Sequence, residues 1–329
     1  MRREQVLGHD RALSILDAAC ARGRIAHAYL FAGPEGVGKE SVAWVFAEGL
    51  LCDAGPRVGG CGVCPACRKV GARSHPDAHA LTAEKDSIPI DAVRTLTTRL
   101  QMTAYEGRFK VAIVQGAHQM NPAAQNALLK TLEEPPGDAV LILCTSSPQV
   151  LLPTVRSRCQ RVAFAPLHAE LVRTRLATLT ARPEDDPALT IAIALSEGSM
   201  GRALQILDEG RYKDRAALTH AVERLDPNQP GAVLDLAEAW GKDRAQATQA
   251  LEVLQLWYRD RILDALGSPP GDRALADVAP ERETPFFVAL RALDLVHEAR
   301  QAILGNVSPQ LTLERTFFAV ADAHLDSGA

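Results

Sequence analysis

A chain of 329 residues exceeds what one hydrophobic core ordinarily organises, so two or three domains are expected. An apolar fraction of 47% beside 23% charged residues excludes a fibrous or largely disordered chain, and a formal net charge of -4 excludes a globally basic nucleic-acid binder. No signal-peptide core opens the sequence and no window reaches the roughly 18 apolar residues of a membrane span, which points to the cytoplasm and makes the seven cysteines thiols, metal ligands or core residues rather than disulfides.

Residues 9 to 22 place Leu13, Leu16 and Ala19 at helical spacing, and AHAYLFAG after them reads as a buried strand. A glycine-rich loop at 33 to 38 follows, then SVAWVFAEGLLC as a helix, which is the order a phosphate site needs. Three further continuous apolar runs, at 110 to 115, 139 to 145 and 161 to 164, predict strands covered on both faces, hence a parallel sheet between helical layers. Between the first two lies NPAAQNALLKTLEEPP, a helix with Asn121 as cap, Pro122 in the first turn, Pro135 as stop, and Ala124, Leu128 and Leu132 facing inward. Beyond residue 166 the pattern becomes helical throughout. About three short helices at 168 to 210 break at Pro183 and EGSMGR, and longer ones follow, including QALEVLQLWYRDRILDAL with Leu251, Leu254, Tyr258 and Ile262 on one face. GSPPGD and its sequel, 267 to 284, read as a mobile loop.

Cys52, Cys61, Cys64 and Cys67 are spaced C-x8-C-x2-C-x2-C, with glycines and prolines in the gap that let the chain fold back. Four thiolates converging on one ion make a closed tetrahedral site, which suits structural Zn²⁺ and leaves no position open for a substrate. Free thiols and an iron-sulfur cluster stand as alternatives, because spacing alone does not fix the metal. Cys20, Cys144 and Cys159 lie in apolar or helical contexts and read as core thiols without a redox role.

Gly33, Gly36, Gly38 and Lys39 fit a phosphate-binding loop, whose glycine N–H groups and lysine hold the phosphates. The residue after the lysine should carry the hydroxyl that holds Mg²⁺, but here it is Glu40, and one helical step turns Ser41 away from that position. The strand VAIV should end in a metal-side acid but ends in Gln115 and Gly116, so two independent requirements for hydrolysis fail together. ATP and Mg²⁺ are therefore not expected to react at this site, and two readings of the loop stand: a tight strand-to-helix connection, or nucleotide binding without turnover.

RIAHAYLFAGPEGVGK, the cysteine module, NPAAQNALLKTLEEPP and LPTVRSRCQRV resemble, in that order, the delta-prime family among bacterial DNA polymerase III clamp-loader subunits, over roughly residues 5 to 166. The resemblance implies an AAA+ α/β domain carrying the zinc module (1–166), an all-α lid (167–211) and an all-α collar (212–329). It implies assembly with motor (gamma/tau) and delta subunits in a hetero-pentamer that acts on a sliding clamp and primer-template DNA. It also implies an arginine finger: Ser157, Arg158 and Cys159 stand where the family's SRC motif offers its arginine to ATP on a neighbouring subunit, a trans contribution that works by charge alone. Thr145 falls at the family's sensor position, where a plain strand-end cap is the competing reading, and Arg202 at that of a lid arginine, with pairing to the phosphate-loop domain as the competitor. An ATP-hydrolysing motor subunit is the first rival, against which Glu40, Gln115 and Gly116 speak. A DNA-contacting zinc ribbon is the second, against which the module's four basic residues, Arg57, Arg68, Lys69 and Arg73, speak by having no aromatic among them. The NVS triplet at 306 to 308 is a glycosylation signal in spelling only.

Overall fold

The computed structural model describes residues 3–83, 87–210, 214–269, 273–305 and 307–325. The expected boundary at 211/212, the 270–272 part of the expected loop and Asn306 of the NVS triplet lie outside them. The chain forms two compact units, Met1–Val172 with Gly198–Gly201, and Arg173–Glu197 with Arg202–Ala329.

The first unit is a five-stranded, all-parallel sheet between helices. Helix α1 (Asp10–Ala21) leads into β1 (Ala28–Ala32), and α2 (Lys39–Leu50), α3 (Pro65–Gly71), β2 (Ala78–Leu81), α4 (Ile90–Gln101) and β3 (Lys110–Val114) follow. Then come α5 (Pro122–Glu133), β4 (Ala139–Thr145), α6 (Pro153–Arg156) and β5 (Gln160–Ala163). The spatial order is β2-β3-β4-β1-β5. Strands β1, β3 and β4 are buried along their whole lengths, as their unbroken apolar runs require, because helices cover both faces. One face packs on α1 and α2 through Tyr29, Phe31, Val42 and Phe46, and the other on α4 and α5 through Leu30, Val93, Leu128 and Leu141.

Two elements were not foreseen. Strand β2 is a half-buried edge strand of four residues, and α4 hides its period of Val93, Leu96 and Leu100 among threonines and charges. Helix α5 starts as expected: Asn121 Oδ1 accepts the Ala124 N–H at 2.8 Å, and Pro122 sits in the first turn.

The second unit is helical. Three short helices, α7 (Ala169–Thr180), α8 (Pro187–Ser196) and α9 (Met200–Glu209), fall between the predicted breaks, the first reaching back into the first unit. They precede α10 (Arg215–Glu223), α11 (Pro230–Trp240), α12 (Arg244–Ala265), α13 (Phe286–Leu304) and α14 (Pro309–Leu325). The one-face reading of α12 needs correction. Val253, Leu256 and Trp257 are buried as well as Leu251, Leu254 and Tyr258, because neighbouring helices surround it. The loop after α12 is also packed rather than free where it is described: Leu275 and Val278 are buried, and the buried Asp260 carboxylate accepts the Leu275 N–H at 2.7 Å.

Candidate functional site

The four module cysteines converge. Their Sγ atoms all lie within 4.8 Å of one another, and the Cys61–Cys67 separation of 3.9 Å matches the edge of about 3.8 Å that a tetrahedron of ~2.3 Å metal–sulfur bonds requires. Sulfurs this close fit around one ion, whereas an iron-sulfur cluster would interpose several irons and push them apart. Local structure builds the cradle. Cys64 caps α3, its Sγ accepting the Cys67 N–H at 3.4 Å, while Cys61 Sγ accepts the Cys64 N–H at 3.3 Å. Backbone N–H groups thus hold the Cys61 thiol down to about 6, and burial pushes the Cys67 thiol up. A bound cation would override the second effect by deprotonating its ligands. Gly60 has φ +56°, and a Cβ there would stand 2.5 Å from Cys67 Sγ, so only glycine leaves room for the ligand. The other three cysteines are core thiols, as expected: burial lifts Cys20 to about 11 and both Cys144 and Cys159 to about 12, which keeps them protonated.

Three of the module's four basic residues are engaged within the protein. Lys69 pairs with Glu106 at 2.6 Å, Arg68 Nε donates to the Val63 carbonyl at 2.9 Å, and Arg73 stacks 3.5 Å from the centre of the Trp44 ring. The aromatic lacking in the local sequence is thus supplied by α2, beneath the arginine, an arrangement that binds the module to its domain rather than to a nucleic acid. Arg73 makes this contact from φ +60°, a conformation costly for a residue with a Cβ.

The phosphate-binding loop joins β1 to α2. Gly33 is required by packing, since an added Cβ would lie 2.2 Å from the Phe164 carbonyl oxygen, and Gly36 and Gly38 adopt φ of +69° and +110°. The loop is braced from three sides. His9 Nε2–H donates to the Val37 carbonyl at 2.7 Å, the Gly201 N–H donates to the Gly36 carbonyl at 3.1 Å, and the Lys39 ammonium donates to the Gly33 and Pro34 carbonyls at 2.8 and 2.5 Å. Lys39 is only 7% exposed, and burial lowers its pKa. Its ammonium thus ties the two ends of its own loop together.

The metal side of the loop is a cleft of about 470 Å³ lined by Glu40, Ser41, Trp44, Arg73 and Gln115. Ser41, the next residue along α2, also lines this cleft. Burial raises the Glu40 carboxyl despite Lys39 beside it, and Gln115 Oε1 accepts the Thr82 hydroxyl at 2.9 Å. The cleft therefore offers a carboxylate that resists ionising and an amide, but no acid at the end of β3. At the end of β4, Thr145 Oγ1 accepts the Ser147 N–H at 3.1 Å and lies 3.3 Å from His118 Nδ1, the geometry of a cap.

Arg158 sits in the turn between α6 and β5. Its Nη2 lies 2.8 Å from Glu133 Oε1 at the end of α5, and its Nη1 donates to the Thr154 carbonyl at 3.0 Å. Ser157 Oγ also donates to the Thr154 carbonyl, at 3.2 Å, and Cys159 packs against the sheet core. Gln125, buried in α5, accepts the Leu152 N–H at 2.7 Å and donates to the Met120 carbonyl at 2.9 Å, fixing the segment that carries the arginine. Sequence reasoning passed over Gln125 and Glu133, whose roles arise only when distant segments meet. Arg202 is paired with Glu252 of α12, which Arg300 also meets at 3.2 Å.

Residues 8–168 match the family described as DNA polymerase III, delta subunit. A DNA polymerase III subunit delta' of Pseudomonas aeruginosa is 41% identical over 57% of this chain and 58% of its own length. DNA polymerase III subunit tau of Escherichia coli is 35% identical over 62% of this chain and 32% of its own. The matched region thus spans well under two thirds of either relative. Among solved structures, a DNA polymerase III gamma subunit-related protein of Thermotoga maritima aligns over 96% of this chain and 100% of that one, at 16% identity and a TM-score of 0.47, a likeness too loose to add to the sequence matches. No described helix is long and apolar enough to cross a membrane. Residues 8–168, just under half of the chain, thus resemble the DNA polymerase III delta subunit family.

Proposed function

We propose that this chain is a non-hydrolysing, delta-prime-type subunit of a DNA polymerase III clamp loader, which lends Arg158 to ATP held by a neighbouring motor subunit while the assembly places a sliding clamp on primed DNA. The observation that carries the reading is the fate of Lys39. It is buried and bonded to two carbonyls of its own loop, while neither Glu40 nor Gln115 in the adjoining cleft supplies what Mg²⁺ and an attacking water need. The charge this chain can offer to another site is Arg158, which lies in a surface turn on a fixed base.

In this reading residues 1–166 form the AAA+ domain, 167–211 the lid and 212–329 the collar that joins it to gamma/tau and delta subunits in a pentamer. The four cysteines hold structural Zn²⁺, which keeps the module folded and takes no part in chemistry. The pairing of Lys69 with Glu106 and of Arg73 with Trp44 favours this over the zinc-ribbon reading, since charges so engaged are poorly placed to follow a phosphate backbone. The test is the DNA-stimulated ATPase of a reconstituted loader. Arg158→Ala should depress it with assembly intact, and Lys39→Ala, measured at a temperature where that variant is folded, should leave it near wild type. A loader insensitive to the first change, or silenced by the second, would reject the reading.

A further inference from the structure

Helix α5 ends on two carboxylates, Glu133 in its last turn and Glu134 at its cap, with Lys130 the basic group there. Acids at a helix C-terminus meet the negative end of the helix dipole, where bases are favoured, so the helix itself gains nothing from Glu133. Its partner comes from another segment: Arg158 Nη2 stands 2.8 Å away, with the two side chains 50% and 36% exposed. The guanidinium is further held by the Thr154 carbonyl and approaches Ser157 Oγ at 3.5 Å. Backbone and side chains differ in freedom here. Gln125 fixes the main chain leading into α6 against α5, while the ion pair itself lies at the surface, where both side chains can swing.

Resting on the finger reading of Arg158, we propose that Glu133 is the finger's resting counter-ion: it parks the guanidinium within its own subunit and yields it to a neighbour's polyphosphate, thereby setting how readily the finger engages. The competition is unequal in the required sense. A polyphosphate offers more charge and more acceptor oxygens than one carboxylate, and arginine's planar fork suits both. A part-exposed ion pair biases an equilibrium by no more than about fivefold, enough to hold the finger back and too little to prevent its transfer. Glu133 is thus a positioning residue.

The experiment is ATPase of the reconstituted loader, with and without primed DNA, for Glu133→Gln, Arg158→Ala and the double variant. Glu133→Gln should raise the DNA-free rate by up to about fivefold and reduce the stimulation by DNA. The double variant should match Arg158→Ala alone. A DNA-free rate unchanged or lowered by Glu133→Gln, in a loader that Arg158→Ala still impairs, would overturn the counter-ion proposal and leave the finger standing. A loader indifferent to Arg158→Ala would remove both.

Discussion

Replacing Lys39 by alanine separates a structural lysine from a nucleotide ligand. Two carbonyl oxygens of the loop, those of Gly33 and Pro34, lose a charged donor, and the side chain that fills the space is 7% exposed. Hydrogen bonds to a charged group contribute about 1.5–3 kcal/mol each, offset in part because the buried ammonium is itself desolvated, which leaves a net loss of about 2–4 kcal/mol. In a unit of this size that should lower Tm by roughly 4–16 °C. The same assay carries a control. A site filled by Mg·ATP to 100 times its Kd would add about 2.7 kcal/mol of stability, readily seen as a rise in wild-type Tm. The two carbonyl contacts predict a marked loss of stability in Lys39→Ala without any nucleotide. A wild-type Tm that climbs with Mg·ATP, and a variant that is equally stable without nucleotide but deaf to it, would refute the reasoning and restore a working phosphate site.

Three other predictions follow from separate parts of the molecule. Chelation, or Cys67→Ser, should lower the melting temperature of the first unit by about 5 °C or more, because a closed site contributes its binding energy to folding; an unchanged transition would show that the module is no staple. Asp77 is buried and accepts N–H groups of Tyr105, Glu106 and Gly107 at 2.7–2.9 Å, and although burial works the other way, these bonds hold its carboxyl below the usual range. Asp77→Asn, which cannot accept all three bonds, should cost about 2–4 kcal/mol in urea unfolding and speed amide exchange at 105–107, and unchanged exchange there would contradict the assignment. Burial, aided by Arg282, lowers His324 in the second unit from 6.5 to about 4. A group so depressed gives its full stability above the unfolded value and loses it as pH falls through the folded one, so up to about 3 kcal/mol should disappear between pH 6.5 and 4. His324→Gln should flatten that slope, and an identical slope in the variant would exclude His324 as its source.

Much of the fold could be read directly from the sequence because burial on both sides of a sheet writes an uninterrupted apolar run. VAIV and LILCT leave little else for their segments to be, and Asn121 with Pro122 marks a helix start by local chemistry alone. Strand β2 escaped because AHAL is short, lies at an edge and carries a half-buried histidine. Helix α4 escaped because threonines dilute its period. The cysteine module was legible for a different reason: three of its ligands are close in sequence, so spacing is nearly geometry. The lysine's engagement with its own loop, the stacking of Arg73 on Trp44 and the pairing of Glu133 with Arg158 depend on side-chain approach within the folded unit. No residue pattern announces them. Arg202 adds another such pairing, with Glu252 of α12, that its sequence context did not suggest.

The central claim is that this chain contributes charge to another subunit's ATP and turns over none itself. Single-turnover hydrolysis in a loader whose sole altered component is Arg158→Ala tests it most directly. The account predicts that one site loses about 10³-fold or more in rate while the others keep their burst; an unaltered burst at every site would contradict it.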